Sequence, residues 1–184
     1  MSNQNRSMEA HHVLSKKGFQ VDSYGTNSII KIPGPAIDKP NCYQFGVTYE
    51  EIYQDLVRKD PDLYTRNGLL MLIDRNRRIK RAPQRFQESQ EIYDVLVTCE
   101  DRCFDMVCEE LARRGGRLGK RVHVINFDIT DNPEDATIGA RAILQLCQRL
   151  EEVGQAELDD HIEEIINEFQ SHSDHPMYYS VLYY

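Results

Sequence analysis

The sequence predicts an α/β fold, a mostly parallel sheet with helices on both faces, and three features point to it. Residues 92–98 and 122–127 are short apolar runs rich in β-branched side chains, as expected of strands buried on both faces. Each precedes a helical pattern: Phe104, Val107, Cys108 and Leu111 after the first, Ile143, Cys147 and Leu150 after the second. The connections between them are short, and strands alternating with helices in this way stack into a parallel sheet with helical crossovers. At 184 residues, 40% hydrophobic and 28% charged, the chain is sized for one domain spanning 1–184.

The elements follow in order. Residues 7–17 read as a helix, with Ser7 as its cap, Met8, Val13 and Leu14 for burial and Gly18 as its stop. A short strand is expected over 19–24. Residues 29–41 hold Pro33, Gly34, Pro35 and Pro40, which predicts an ordered loop, of the kind that borders ligands, rather than an element. Ile52, Tyr53 and Leu56, then Leu69, Leu72 and Ile73, recur at three- and four-residue intervals, giving helices over 49–58 and 62–78 and a helical insertion at about 49–80. Gly115-Gly116 ends the helix after the first buried strand. Asn132 caps the next helix, with Pro133 at its first position and Glu134 and Asp135 in its first turn. Ile162, Ile165, Ile166 and Phe169 mark a last helix, and the aromatic, β-branched segment 177–184 reads as a final strand.

Lys and Arg total 22 against 30 Asp and Glu, a net charge of −8, which argues against a nucleic-acid coat needing a cationic face. No run approaches the roughly 18 to 20 apolar residues of a membrane span, and the polar start MSNQNRSMEA has no apolar signal core, so no membrane association and an intracellular protein are expected. Cys42, Cys99, Cys103, Cys108 and Cys147 are odd in number and scattered, which suits reduced thiols. Cys99, Cys103 and Cys108 have a spacing open to metal, but no His lies near and Cys108 falls on the apolar stripe, so no metal is expected.

Ser2, Asn3, Gln4, Asn5, Arg6 and Ser7 form a small polar run leading straight into a helix. Its backbone N–H groups, with the helix N-terminus behind them, can ring a phosphate while Arg6 grips two of its oxygens. A frayed polar terminus ahead of a capped helix fits the same residues. Arg75, Arg77, Arg78, Lys80, Arg81 and Arg85 are the one strong cationic cluster, either an attractor for a phosphorylated ligand or a solvated helix face. His11 and His12 lack a metal spacing; one can bond inside the fold while the other faces solvent.

The cradle run does not stand alone. Ser2 to His11 is followed by Lys31-Ile32-Pro33-Gly34-Pro35, Asp38-Lys39-Pro40-Asn41, Tyr64-Thr65-Arg66-Asn67-Gly68, Asp74-Arg75-Asn76-Arg77-Arg78-Ile79-Lys80, Arg85-Phe86-Gln87, Thr98-Cys99-Glu100 and Val122-His123-Val124-Ile125-Asn126. Together these blocks closely resemble the eukaryotic RNA polymerase II C-terminal-domain serine phosphatases of mRNA 3′-end processing. The resemblance runs from Ser2 to the end. It implies an elaborated low-molecular-weight tyrosine phosphatase fold with a nucleophilic Cys, five intervening residues and then Arg-Ser. It implies removal of phosphate from serine, chiefly at the fifth position of Tyr-Ser-Pro-Thr-Ser-Pro-Ser heptads, with the following proline cis. Because cis is the minority isomer, a prolyl isomerase becomes a functional partner. It also implies a nuclear protein without cofactor, bound to a helical-repeat scaffold, symplekin in animals. A soluble tyrosine phosphatase or arsenate reductase fits the cradle but not the proline-rich loop or the insertion.

By the same resemblance Asp131 is the general acid and Arg6 the phosphate-gripping catalytic residue, with Asp128 helping to position Asp131. Without the resemblance Asp131 reads equally as a helix-flanking acid. Lys31, Pro33, Gly34, Tyr64, Leu69 and Leu72 line the substrate groove, although Leu69 and Leu72 suit a core role equally. Counting back five residues from Arg6 reaches Met1, so the nucleophile and the first central strand fall ahead of the sequence. An N-terminally truncated and destabilised form is therefore expected, with 19–24 and 92–98 either separated by a strand-wide gap or forced into abnormal contact. A catalytically inactive isoform that binds the scaffold or a phosphopeptide is the alternative.

Overall fold

The computed structural model describes residues 2–173 and 175–184. Arg121–Phe127 (β4) is the centre of the sheet, and every residue of it after Arg121 is buried. Its alternation divides two cores: Ile125 and Phe127 pack with Ala140, Ile143 and Leu146, while Val122 and Val124 pack with Leu111, Phe86 and Tyr184. The helices responsible are Pro133–Val153 (α6) with Leu158–Ser171 (α7) on one face and Asp101–Arg114 (α5) on the other. Val95–Thr98 (β3) pairs parallel to β4, and Met177–Tyr183 (β5) pairs antiparallel along its other edge. The α/β class with helices on both faces therefore holds, and the sheet is mixed. Buried His123 bridges β5 and α7, meeting the Tyr179 hydroxyl at 2.8 Å and Asp159 at 2.7 Å.

The first helix is Arg6–Lys16 (α1), which packs on α6 through Ala10 and Leu14. Residues 19–24 are extended but form no strand. The chain there makes only a one-residue parallel bridge, Gly25 with Arg85, through Gly25 N–H to Gln84 O at 2.8 Å and Phe86 N–H to Gly25 O at 2.9 Å. Between this segment and β3 lies a groove of about 950 Å³, walled by Phe19, Val21, Val95 and Val97 over a floor that includes Leu14 and Ile143. Among the described residues no backbone ladder joins 19–24 to 92–98, but their side chains meet: the Tyr24 and Tyr93 hydroxyls lie 2.6 Å apart and the Tyr93 hydroxyl donates to Asp22 at 3.0 Å.

Residues 29–41, read as a loop, are instead largely a hairpin. Ile30–Ala36 (β1) and Lys39–Tyr43 (β2) pair antiparallel, Ile30 opposite Tyr43 and Ile32 opposite Asn41. The prolines are tolerated because the register shifts between Ile32 and Ala36, where ladder bonds are interrupted. Gly34 is required there: a Cβ on it would sit 1.8 Å from the Lys39 carbonyl oxygen. The sequence periodicity also merged two helices. Tyr49–Lys59 (α2) is as expected, but 62–78 divides into Pro61–Arg66 (α3) and Leu69–Ile79 (α4), split by Gly68 at φ +77° with Asn67 Oδ1 accepting from the Leu69 N–H at 3.1 Å. These helices and the hairpin share a core of Ile30, Ile32, Tyr49, Ile52, Leu56 and Ile73 that rests on α1 through Met8.

Gly139 of α6 lies under Ile129, where an added Cβ would come within 2.3 Å of Ile129 Cδ1. Gly139→Ala is expected to cost about 1 to 3 kcal/mol in urea unfolding by overpacking this contact; an unchanged midpoint would show that Ile129 repacks freely.

Candidate active site

The polar run forms a tight loop ahead of α1, pinned on all sides. Asn3 has φ +53°, a left-handed conformation that an asparagine tolerates. Its Nδ2 donates to Ser7 Oγ at 3.2 Å and Ser23 Oγ at 3.1 Å, its Oδ1 accepts from the Gln84 N–H at 3.2 Å, and its carbonyl accepts from the Tyr49 hydroxyl. Ser2 Oγ sits 3.1 Å from both the N–H and the carbonyl oxygen of Lys31. The Gln4 carbonyl accepts from Asn76 at 2.8 Å, and the Asn5 carbonyl accepts from the Glu9 N–H at 2.9 Å. A trans peptide directs its N–H opposite to its C=O, so the N–H groups of Gln4, Asn5 and Arg6 turn away from these anchors.

Arg6 is buried at the mouth of this loop. Nη1 donates to the carbonyls of Cys99 at 3.0 Å and Ile129 at 2.6 Å, Nη2 pairs with Glu100, and Nε lies 3.4 Å from Asp131 Oδ1. Burial alone would lower its pKa, but Asp131 and Glu100 outweigh that and the guanidinium is held above its ordinary value. Most of its donors thus meet protein acceptors. Asp131 also accepts from Asn5 Nδ2 at 2.9 Å, which joins the loop to the chain after β4. Its side chain is 56% exposed, open to a ligand. Asp128 is exposed and lies nearer β5, its N–H on the Pro176 carbonyl at 3.0 Å.

Lys31 and Pro33 are exposed on β1 and Gly34 is half-buried there, next to the loop through the Ser2 contact. Leu72 is half-buried on α4. Tyr64 and Leu69 are core residues, 1% and 3% exposed, and support the groove from within rather than line it. The Tyr64 hydroxyl is occupied by Asn41 Nδ2 at 3.0 Å. The cationic cluster is largely neutralised: Arg75 pairs with Glu9, Arg77 with Glu50 and Asp74, Arg78 with Asp74 and Arg85 with Glu88. Arg75, Arg77 and Arg85 are thus largely covered and paired within the fold rather than left free as an attractor.

Lys80 departs from its neighbours. Its ammonium is drawn inward onto the Ser23 carbonyl and Gln84, and burial pushes its pKa down to about 8. The unfolded chain, with an ordinary lysine near 10.5, holds more protons between those two values. The penalty for burying the charge is therefore complete below about pH 8 and is relieved as pH rises toward about 10.5. Wild type is expected to gain about 1 to 2 kcal/mol on Lys80→Met between about pH 7.5 and 9.5 in urea unfolding; parallel curves would contradict it. His11, buried against Ser23 at 2.9 Å, has its pKa lowered by burial and by nearby Lys80, so its neutral form is favoured.

All five cysteines are free thiols. Cys99 stands behind Arg6, but burial pushes its pKa up to about 12, and Cys147 likewise to about 12. Cys108 is raised by burial, Cys103 meets Thr26 Oγ1 at 3.5 Å and Cys42 is exposed on β2. Attack on phosphorus needs a thiolate, which burial at Cys99 suppresses more than the nearby Arg6 favours it. Among the described residues no group of three His, Cys, Asp or Glu could hold a metal ion, and no helix is long and apolar enough to cross a membrane. Sequence reasoning gives no role to Glu100, Ser23, Tyr49 or Asn76. Glu100 stands in one of the blocks that carry the resemblance, but nothing local signals its partner 94 positions away.

Comparison with known proteins gives a consistent picture. A family model described as Ssu72-like protein matches residues 1–184. The RNA polymerase II C-terminal domain phosphatase ssu72 of Schizosaccharomyces pombe is 53% identical over 184 residues, covering 100% of this chain and 93% of that protein. The Homo sapiens counterpart is 48% identical over 183 residues, with 100% and 93% covered. A Drosophila melanogaster Ssu72 solved with Symplekin and a cis peptidomimetic of the serine-phosphorylated CTD superposes with a TM-score of 0.94 at 46% identity, covering 100% of this chain and 94% of that one. A second Drosophila structure, described as the serine phosphatase of RNA polymerase II CTD, gives a TM-score of 0.95 at 48% identity, with 100% and 95% covered.

Proposed function

The chain belongs to the Ssu72-like family, and on that premise we propose that it is a cysteine-dependent phosphatase acting on phosphoserine of the RNA polymerase II C-terminal heptads, chiefly at the fifth position. The observation that carries the reading is the meeting of Asp131 with Arg6 and Asn5 at the N-terminus of α1, residues about 125 positions apart in sequence. Around that meeting we infer an anion site, with Asp131 as the acid, Arg6 as the cation and the loop N–H groups as donors. In the first step a thiolate forms a bond to phosphorus, the bond from phosphorus to the serine oxygen breaks, and the Asp131 carboxyl protonates the departing oxygen. In the second, the Asp131 carboxylate takes a proton from water as its oxygen bonds to phosphorus and the sulfur leaves, releasing phosphate. The loop amides and Arg6 stabilise the charge on the phosphoryl oxygens throughout.

The nucleophile's position is inferred from the family's spacing of Cys, five residues and Arg-Ser, counted back from Arg6-Ser7. Lys31, Pro33, Gly34 and Leu72 form the wall for the peptide, and a cis proline after the phosphoserine would make a prolyl isomerase a functional partner. A symplekin-like scaffold is the expected protein partner and the nucleus the place of action. The test is phosphate release from a serine-phosphorylated heptad peptide by this chain preceded by a strand ending in Cys, beside the same protein with Ser in that place. Release by the Cys form alone supports the reading. Release by neither sinks it, and equal release by both moves the nucleophile to another residue.

A further inference from the structure

Among the anchors of the loop that would bind phosphate, those on the Gln4 carbonyl come from helix α4. Arg75 Nη2 donates to the Gln4 carbonyl at 2.9 Å and to the Asn5 carbonyl at 3.4 Å, while Nη1 pairs with Glu9 of α1. Asn76 Nδ2 donates to the same Gln4 carbonyl at 2.8 Å. The orientation of that amide is itself imposed by Arg75, whose Nε and Nη2 donate to Asn76 Oδ1 at 3.0 and 2.9 Å. Turned the other way, the amide would set its NH₂ against the guanidinium and its oxygen against a carbonyl. Asn76 is 0% exposed and the Arg75 and Glu9 side chains 17% and 16%, so the cluster works in a poorly hydrated setting where unpaired groups are costly.

We propose that Arg75 is a positioning residue for phosphate binding: directly and through Asn76, it holds the Gln4 and Asn5 carbonyls outward so that the N–H groups of Asn5 and Arg6 converge on the bound oxyanion. The inference rests on the phosphatase reading above and gives the segment spanning α2 to α4 a role in the chemistry as well as in the peptide wall. Arg75 does not touch the anion. Its charge, already engaged by Glu9, matters less than its fork, because one planar group must reach Glu9, the Gln4 carbonyl and Asn76 together. Lysine keeps the charge and loses the fork.

Tungstate binding measured by calorimetry on the chain itself needs no nucleophile and reads the cradle directly. Arg75→Met is expected to weaken binding at least tenfold and Arg75→Lys several-fold, whereas Arg58→Met, which removes an exposed arginine from α2, should change it less than twofold. Asn76→Asp, which sets a carboxylate oxygen against the Gln4 carbonyl in place of a donor, is expected to weaken binding several-fold at about pH 8. A merely structural role would lower the melting temperature while leaving the affinity of the folded protein unchanged. Wild-type affinity in a folded Arg75→Lys or Asn76→Asp protein would overturn the positioning role even if Arg75→Met failed to fold. Absence of tungstate binding by wild type would overturn the cradle reading and this inference with it, which distinguishes the two failures.

Discussion

In the protein preceded by a strand ending in Cys, Asp131→Asn is expected to lower kcat on a serine-phosphorylated heptad peptide by roughly 10²- to 10⁴-fold, with KM changed far less. The serine alkoxide is a poor leaving group and departs only when protonated, so the carboxyl proton is needed as the phosphorus–oxygen bond breaks. The substitution spares the fold. Asp131 is more than half exposed, and an asparagine oxygen can still accept from Asn5 and lie beside Arg6. The chemistry of the leaving group supplies an internal control. Para-nitrophenyl phosphate, whose phenolate leaves without a proton, should lose much less rate than the heptad peptide. A loss of equal size on both substrates would mean that Asp131 serves by holding Arg6 or the loop; a loss below about threefold on the peptide would falsify its role as the acid.

What the sequence disclosed and what it hid divide along one physical line. Elements stabilised by their own periodicity and caps were legible: Ile125 and Phe127 alternate with Val122 and Val124, and Asn132 with Pro133 starts α6 as expected, its side chain accepting from the Asp135 N–H. Residues 29–41 misled because proline and glycine signal a loop only when nothing else pairs with the chain. Here Ile30 and Ile32 are drawn into the core with Tyr49 and Ile73, and the hairpin forms around its prolines. Residues 19–24 have strand-like composition, yet a strand needs a neighbour at ladder distance, and the chain there finds only a one-residue bridge, Gly25 with Arg85. The site shows the same division. Ser2 to Ser7 announced themselves because loop, helix and Arg6 are contiguous. Glu100, Arg75 and Asn76 reach that loop only through the tertiary approach of two other elements, and no local pattern encodes it.

The other large effect is expected at Arg6, where stability and ligand binding are tied together. Arg6→Ala should abolish measurable tungstate binding and also cost about 3 to 5 kcal/mol in urea unfolding, as removal of one partner from a buried ion pair does. Two groups of loss combine. The Cys99 and Ile129 carbonyls lose the Nη1 donors, and Glu100, 24% exposed, keeps a charge without its counter-ion. The second loss is reversible by design: Arg6→Ala with Glu100→Gln should recover a substantial part of the unfolding free energy while binding stays absent. If Arg6 were only a ligand-gripping side chain, the single substitution would leave stability nearly intact and the double substitution would rescue nothing. If it were only a structural pin, Arg6→Ala would still bind tungstate once folded. Both effects are expected together, because the donors that tie Arg6 to Glu100 and Asp131 are those the proposed oxyanion would recruit.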